Sequence, residues 1–288
     1  MEMARLFPDV SRRAMLRDIR DRARLDRALE QERPEIVFHA AALKHVPLAE
    51  SNPNECGLTN AGGTMNVANA CHAAGVPTMV LISTDKAVNP SSIMGATKRI
   101  AELYIQALGR AGDGTRFATV RFGNVLGSAG SVVPLFQRQL AAGGPLTVTH
   151  ADMTRFMMTV REAVELVLQA SALDGESGDL FVLEMGEPVR IQDLARQMIR
   201  LAGFVPDEEV HVTFTGIRPG EKMHEELIYD DETLKPTART GINVATGRTA
   251  SLDDLRHALE ALVEHARAGD AGETPRRIHA IVPEFPAT

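Results

Sequence analysis

Hydrophobic and polar positions alternate along this chain in two regimes. In the first regime, apolar runs of strand length are separated by amphipathic stretches of helical length. Arg13–Arg17 (RAMLR) reads as a short strand ending at Asp18. A charged helix is expected over Arg22–Glu32, closed by Pro34. Glu35–Ala40 (EIVFHA) is an apolar run of the kind buried on both faces of a sheet. A helix of small residues is expected from Asn60 to Ala74, with Gly75 as its stop signal. Strand Thr78–Ser83, helix Met94–Gly109 and strand Arg116–Phe122 follow. Such alternation predicts a parallel sheet with helices on both faces.

In the second regime the elements are shorter and more mixed. Helices are expected at Pro134–Ala142, Val160–Ala172, Ile191–Leu201 and Leu252–Ala266. Short strands are expected at Leu146–Thr149, Leu180–Glu184 and Val210–Thr215, between loops rich in Gly, Asp and Pro. The tail after Gly269 reads as loosely ordered. No repeat or low-complexity segment interrupts the pattern.

Composition narrows the function classes. A chain of 288 residues can bury a full core. Its formal net charge of −7 argues against a nucleic-acid or membrane-surface binder, which needs a broad basic face. An anionic small molecule needs only a few arginines in one cleft. Cys56 and Cys71 have no metal-ligand spacing, so no metal site and two buried thiols in a reducing cytoplasm are expected. No apolar run approaches a membrane span, and the opening MEMARLFPDV lacks the apolar core of a signal peptide.

Candidate chemistry concentrates in Leu81–Arg99 (LISTDKAVNPSSIMGATKR). A buried strand ends in Ser83-Thr84-Asp85-Lys86, so polar groups emerge at the carboxyl edge of a parallel sheet, where open α/β folds bind ligands. Met94 begins a helix that places Lys98 four residues on, upon the same face. Two polar clusters on consecutive elements can thus converge on one cleft.

This arrangement resembles the short-chain dehydrogenase site, in which a Ser or Thr ends one strand and Tyr-x-x-x-Lys opens the next helix. Five motifs sharpen the resemblance: His39–Glu50 (HAAALKHVPLAE), Ser83–Pro90 (STDKAVNP), MGATKR, Arg121–Pro134 (RFGNVLGSAGSVVP) and Ile217–Leu227 (IRPGEKMHEEL). Together they are similar to the bacterial polysaccharide-biosynthesis UDP-N-acetylhexosamine 4,6-dehydratases, particularly the large, normally membrane-anchored members. The resemblance implies a doubly wound, Rossmann-like α/β fold with a smaller substrate-binding region. It divides the chain into a partial dinucleotide-binding domain, 1–130, and a mainly substrate-binding region, 131–288, with 156–186 returning to the first. It also implies NAD or NADP as a tightly bound, recycled cofactor, a UDP-N-acetylhexosamine substrate and a cytoplasmic location. Homo-oligomerisation through the helices near Asn60–Ala74 and Met94–Gly109 is a further implication.

Roles follow from the same resemblance. Asp85 would protonate the leaving C6 hydroxyl, and Lys86 would take the C5 proton, which requires a neutral amine. Thr84 would hydrogen-bond the C4 oxygen, and Lys98 would hold the nicotinamide ribose. Met94 stands at the usual tyrosine position, as in the large subgroup, and a thioether cannot take a hydroxyl proton. The base for C4 is therefore open between Asp85 and a water. Tyr104 lies about 15 Å farther along the helix axis. Asp18, Ile19, Ala40, Ala41 and Asn60 would line the cofactor. Arg218 is the best diphosphate candidate, and Glu221 would accept from the uridine ribose. Asn124 and Arg155 are secondary substrate candidates, and an ordinary surface ion pair is an equal reading of Arg155. Lys44 and His45 would line the sugar pocket, while His39, inside an apolar strand, is expected to be a satisfied core histidine.

The first glycine is Gly57, so no glycine-rich phosphate turn exists upstream of it. By the resemblance, Arg13–Asp18 corresponds to the third strand of the fold, and the first β-α-β unit is missing. The chain alone is then expected to be poorly soluble and inactive, and about 60–90 upstream residues should restore it. A sugar epimerase of the same superfamily and a silent UDP-sugar-binding module are the competing readings.

Overall fold

The computed structural model describes residues 6–112, 114–247 and 250–286. Its first half runs α1 (Arg22–Glu32), β1 (Ile36–His39), α2 (Thr64–Ala73), β2 (Thr78–Ile82), α3 (Ile93–Ala111) and β3 (Arg116–Arg121). The second half contributes α4 (Val132–Ala141), α5 (Val160–Ser171), β4 (Asp179–Leu183), α6 (Ile191–Leu201), β5 (Thr233–Pro236), β6 (Ile242–Thr246), α7 (Leu252–Ala268) and α8 (Glu273–Ile281). β1, β2, β3 and β4 pair in parallel, and β6 and β5 complete a six-stranded sheet in antiparallel fashion. A smaller lobe packs α4 and α6 against the parallel pair Leu146–Val148 and Val212–Phe214, around Phe136, Leu146 and Ile199. The expected Rossmann-like architecture is thus present, with a mixed sheet.

β2 and β3 lie centrally in the sheet, with Val80, Leu81, Ala118 and Val120 fully buried. β1 has a neighbour on one side only, and Phe38 is 40% exposed. Phe38, Ile82, Phe122, Val164 and Leu168 border an apolar groove on this side of the sheet.

Three expectations need correction. Arg13–Arg17 forms no strand: no neighbouring strand offers it hydrogen-bond partners, and Arg13 instead pairs with Glu32 on α1. The helix expected from Asn60 begins as a π-type segment, Gly57–Gly63, before α2. Tight packing accompanies that irregularity, because a Cβ on Gly62 would lie 2.6 Å from Val263 on α7. The tail after Gly269 is ordered by α8, with Ile278, Val282 and Phe285 buried in the main core.

The C-terminal helices bear on the expected assembly. α7 and α8 pack along α3 and the Gly57–Gly63 segment, so α3 is buried from Ile93 to Gly109, polar residues included. The α3 surface is thus covered by the same chain, while Met65, Asn66 and Asn69 of α2 stay partly exposed.

Candidate active site

The site grows out of the carboxyl ends of β1, β2 and β3. After Ile82 the β2 chain continues to pair, the Ser83 amide donating to Val120 and the Asp85 amide to Phe122. It then tightens into a 3₁₀ turn over Asp85–Ala87, capped by the Thr84 hydroxyl. Helix α3 presses its backbone against this turn: a Cβ on Gly95 would lie 2.2 Å from the Lys86 carbonyl. Only glycine fits there, which explains the glycine beside Met94.

Asp85 is fully buried. Its Oδ1 accepts from the Thr84 hydroxyl at 3.0 Å and from Lys86 Nζ at 2.9 Å. Its Oδ2 has no partner among the described residues. Lys86 Nζ also donates to Asn124 Oδ1 at 3.0 Å. Ser83, the first polar residue of the run, turns away and donates to Glu102 inside the core. The residues that face the cleft are therefore Thr84, Lys86 and Asn124, with Asp85 beneath them.

Two adjoining cavities, of about 350 and 270 Å³, meet here and share Lys44, His45, Lys86 and Asn124. Ala40, Thr84, Met94 and Lys98 line the first. Arg155, Arg218 and Glu221 line the second. Arg155 is no surface residue: it is buried, donates to the carbonyls of Thr154, Lys222 and Met223, and lies 3.6 Å from Glu225. Arg218 is exposed, and its amide donates to Glu221.

The remaining sequence candidates lie outside both cavities. Asn60 supports the first from behind: its Oδ1 accepts from the Leu43 amide and its Nδ2 donates to the Leu43 carbonyl and to Thr97. Ala41 is not part of the lining. Asp18 is bound by Arg20, whose hydrogen bonds hold its carboxyl down to about 2. Ile19 packs against Gly63. His39 is buried, pairs with Thr64 and is pushed down to about 3 by burial and by the charge of Lys98, as befits a neutral core histidine. Burial pushes both cysteine thiols up to about 12, leaving them inert. Tyr104 donates to Asn69 and Tyr229 to the Ala87 carbonyl, so neither replaces the tyrosine missing at Met94.

Sequence reasoning passed over two features. Glu225 is a buried carboxylate of the second cavity, 3.7 Å from Lys86 Nζ. Glu102, Arg121, Arg99 and Glu232 form a buried ion network below the site. The doubled carboxylate of MHEEL and the arginine before FGN were visible signals, but no local pattern pairs residues so far apart.

The first cavity has the character needed around a nicotinamide ribose. Lys98 is buried, its Nζ donating to the Ile82 carbonyl at 2.6 Å, and burial pushes its ammonium down to about 8. An amine of that kind sits beside a negative or hydroxylated ligand more readily than in an apolar core. Among residues 1–56 there is no glycine to shape a pyrophosphate turn. The described residues thus fit the nicotinamide half of a dinucleotide.

Lys98 carries a stability cost that can be measured. Lowering its ammonium from 10.5 to about 8 corresponds to about 3 kcal/mol at neutral pH, against about 1–2 kcal/mol for the bond to Ile82. Lys98→Met should therefore leave stability at pH 7 unchanged or raise it by about 1–2 kcal/mol. Between pH 8 and 10.5 the unfolded chain keeps the proton that the folded chain has lost, so native stability rises with pH. Denaturation of both proteins at pH 7 and pH 10 should show the variant losing ground at the higher pH. A constant difference would refute the assignment.

The chain is 53% identical over 218 residues to the capsular polysaccharide biosynthesis protein CapD of Staphylococcus aureus, a match spanning 76% of this chain and 36% of that protein. It is 39% identical to an inverting UDP-N-acetylglucosamine 4,6-dehydratase of Campylobacter jejuni, over 81% of this chain and 67% of the relative. A UDP-glucose 4-epimerase of Rickettsia massiliae is 36% identical over the same two shares. Among solved structures, Pen from Bacillus thuringiensis superposes with a TM-score of 0.76 at 34% identity, covering 90% of this chain and 85% of Pen. The chain thus spans about a third of the length of the first of these relatives. Residues 4–246 match the family described as polysaccharide biosynthesis protein, and the chain belongs to that family.

Proposed function

We propose that this chain carries the catalytic residues of a nucleotide-sugar 4,6-dehydratase acting on a UDP-N-acetylhexosamine with NAD or NADP. The observation that carries the reading is Lys86, where the two cavities meet, paired with Asp85 directly beneath it and held by Thr84 and Asn124. Dehydration needs an acid for the leaving C6 hydroxyl and a base for the C5 proton, within reach of one sugar ring. A bound nicotinamide would take the C4 hydride and return it to C6.

The chain's own residues would do the rest. Thr84 would donate to the C4 oxygen and Lys98 would hold the cofactor ribose. The C4 hydroxyl proton would pass to Asp85, directly or through a water, as the hydride leaves. Asp85 would then give a proton to the C6 oxygen as the C5–H bond breaks toward Lys86 and water departs, and the Lys86 ammonium would return the proton to C5 as the hydride comes back to C6. Arg218 and Glu221, in the second cavity, would hold the diphosphate and the uridine ribose. Met94 supplies shape at the tyrosine position and no proton transfer.

An epimerase needs neither a leaving-group acid nor a C5 base, so the same pair argues against that reading. Full-length protein incubated with UDP-N-acetylglucosamine and NAD should yield a product lighter by one water, with a 4-keto group visible by NMR. A product of unchanged mass would establish the epimerase. Binding of the UDP-sugar without turnover would establish a silent module.

A further inference from the structure

Glu225 has no role in the reading above, yet it is among the most enclosed ionisable groups of the molecule, its side chain 3% exposed. It sits on the segment after Arg218-Pro219-Gly220, which crosses from the smaller lobe back toward the sheet. Its Oε1 lies 3.7 Å from Lys86 Nζ and 3.6 Å from Arg155 Nε. Its Oε2 is buried without a hydrogen-bond partner among the described residues. Burying a carboxylate costs several kcal/mol unless charges compensate it, so its counter-ions fix where it can rest. Those counter-ions are one cation from the turn after β2 and one from the smaller lobe.

We propose that Glu225 is a positioning residue that holds Lys86 and Arg155 in register, coupling the reacting end of the site to the nucleotide-binding end. This rests on the dehydratase reading only for its catalytic consequence. The charge relation itself follows from distances.

Lys86 Nζ is surrounded by three oxygens: Asp85 Oδ1 and Asn124 Oδ1 at hydrogen-bond distance, and Glu225 Oε1 farther out. Asp85 and Asn124 fix its direction within its own lobe. Glu225 alone ties it to the opposite one. Among the described residues, Glu225 pairs with Lys86 and Arg155, and Asp85 lies on the far side of Lys86. The neighbouring Lys222 is turned away, donating to the Val88 carbonyl. Removing the Glu225 charge therefore leaves Arg155 with carbonyl partners only and leaves Lys86 one negative neighbour fewer.

A negative charge within about 4–6 Å favours an ammonium over a free amine. Glu225→Gln keeps the shape and removes that charge, so Lys86 should become more reactive toward acylation. The measurement is competitive labelling of the full-length protein with acetic anhydride at pH 8. The Lys86 peptide is quantified by mass spectrometry against exposed Lys235 as internal standard. The expected result is a rise in relative labelling of about fivefold or more. Glu225→Asp, which keeps the charge, should stay within about twofold of the parent.

Turnover is the second readout. The acid limb of the kcat/KM profile for UDP-N-acetylglucosamine should move to lower pH in Glu225→Gln. Unchanged labelling of a folded Glu225→Gln protein would overturn the proposal. So would equal increases in the Gln and Asp variants, which would mark loosened packing. Increased labelling with an unmoved acid limb would leave the coupling standing and remove Lys86 as the C5 base. The two failures are thus distinguishable.

Discussion

Arg121→Met should destabilise the protein by about 3–5 kcal/mol, among the largest losses available from one side chain. Arg121 ends β3, and its guanidinium is fully enclosed. All five of its N–H groups are used: two bonds to Glu102, two to Glu232 and one to the Leu227 carbonyl. Glu102 in turn accepts from Ser83 and from Arg99, whose guanidinium lies 4.4 Å above the Tyr229 ring. Burial alone would push the Glu102 carboxyl up, but the charge and hydrogen bonds of Arg121 outweigh it and hold it below its usual value. Four charges sum to zero in this network, and removing one strands a carboxylate in the core. The double variant Arg121→Met with Glu102→Met removes one charge of each sign. It should lose less than Arg121→Met alone, although each is a cavity-scale change. Urea denaturation of the three proteins decides it; a double variant at least as unstable as the single one would show that packing, not charge, dominates.

The second large effect concerns turnover. Asp85→Asn and Lys86→Met in full-length protein should each lower kcat by at least about a hundredfold, the usual size of one acid–base contribution. UDP-sugar binding should change by no more than a few fold, because Arg218 and Glu221, the groups assigned to the nucleotide, are left in place. The asparagine is a close test: it preserves the acceptor for Thr84 and replaces the unpartnered Oδ2 by an amide that cannot deliver an acid proton. Near-normal turnover in either variant would show that the role belongs to another group.

Local signals made much of this legible. Helix α6 is found where its apolar period ends it, from Ile191 to Leu201. The buried strand β2 needed only its apolar run from Met79 to Ile82. STDK could be placed at the sheet edge because a strand signal preceded it and a helix signal followed. What escaped depends on partners distant in sequence. RAMLR has strand-like residues, but a strand exists only where a neighbour pairs with it. Ile278, Val282 and Phe285 recur at helical spacing, and that signal was hidden by the polar residues around it. Glu225 and Glu102 acquire their meaning from Lys86 and Arg121, which topology alone brings near.

The packing of α7 and α8 also sets an order of events during synthesis. The apolar surface of α3 and the Gly57–Gly63 segment is complete once the first half has left the ribosome. Its covering residues, among them Leu259, Leu262 and Ile278, are translated more than a hundred residues later. At typical elongation rates of about 5–20 residues per second, that surface stays uncovered for several seconds or longer. The first-half core therefore reaches its full burial only after α7 and α8 have been synthesised.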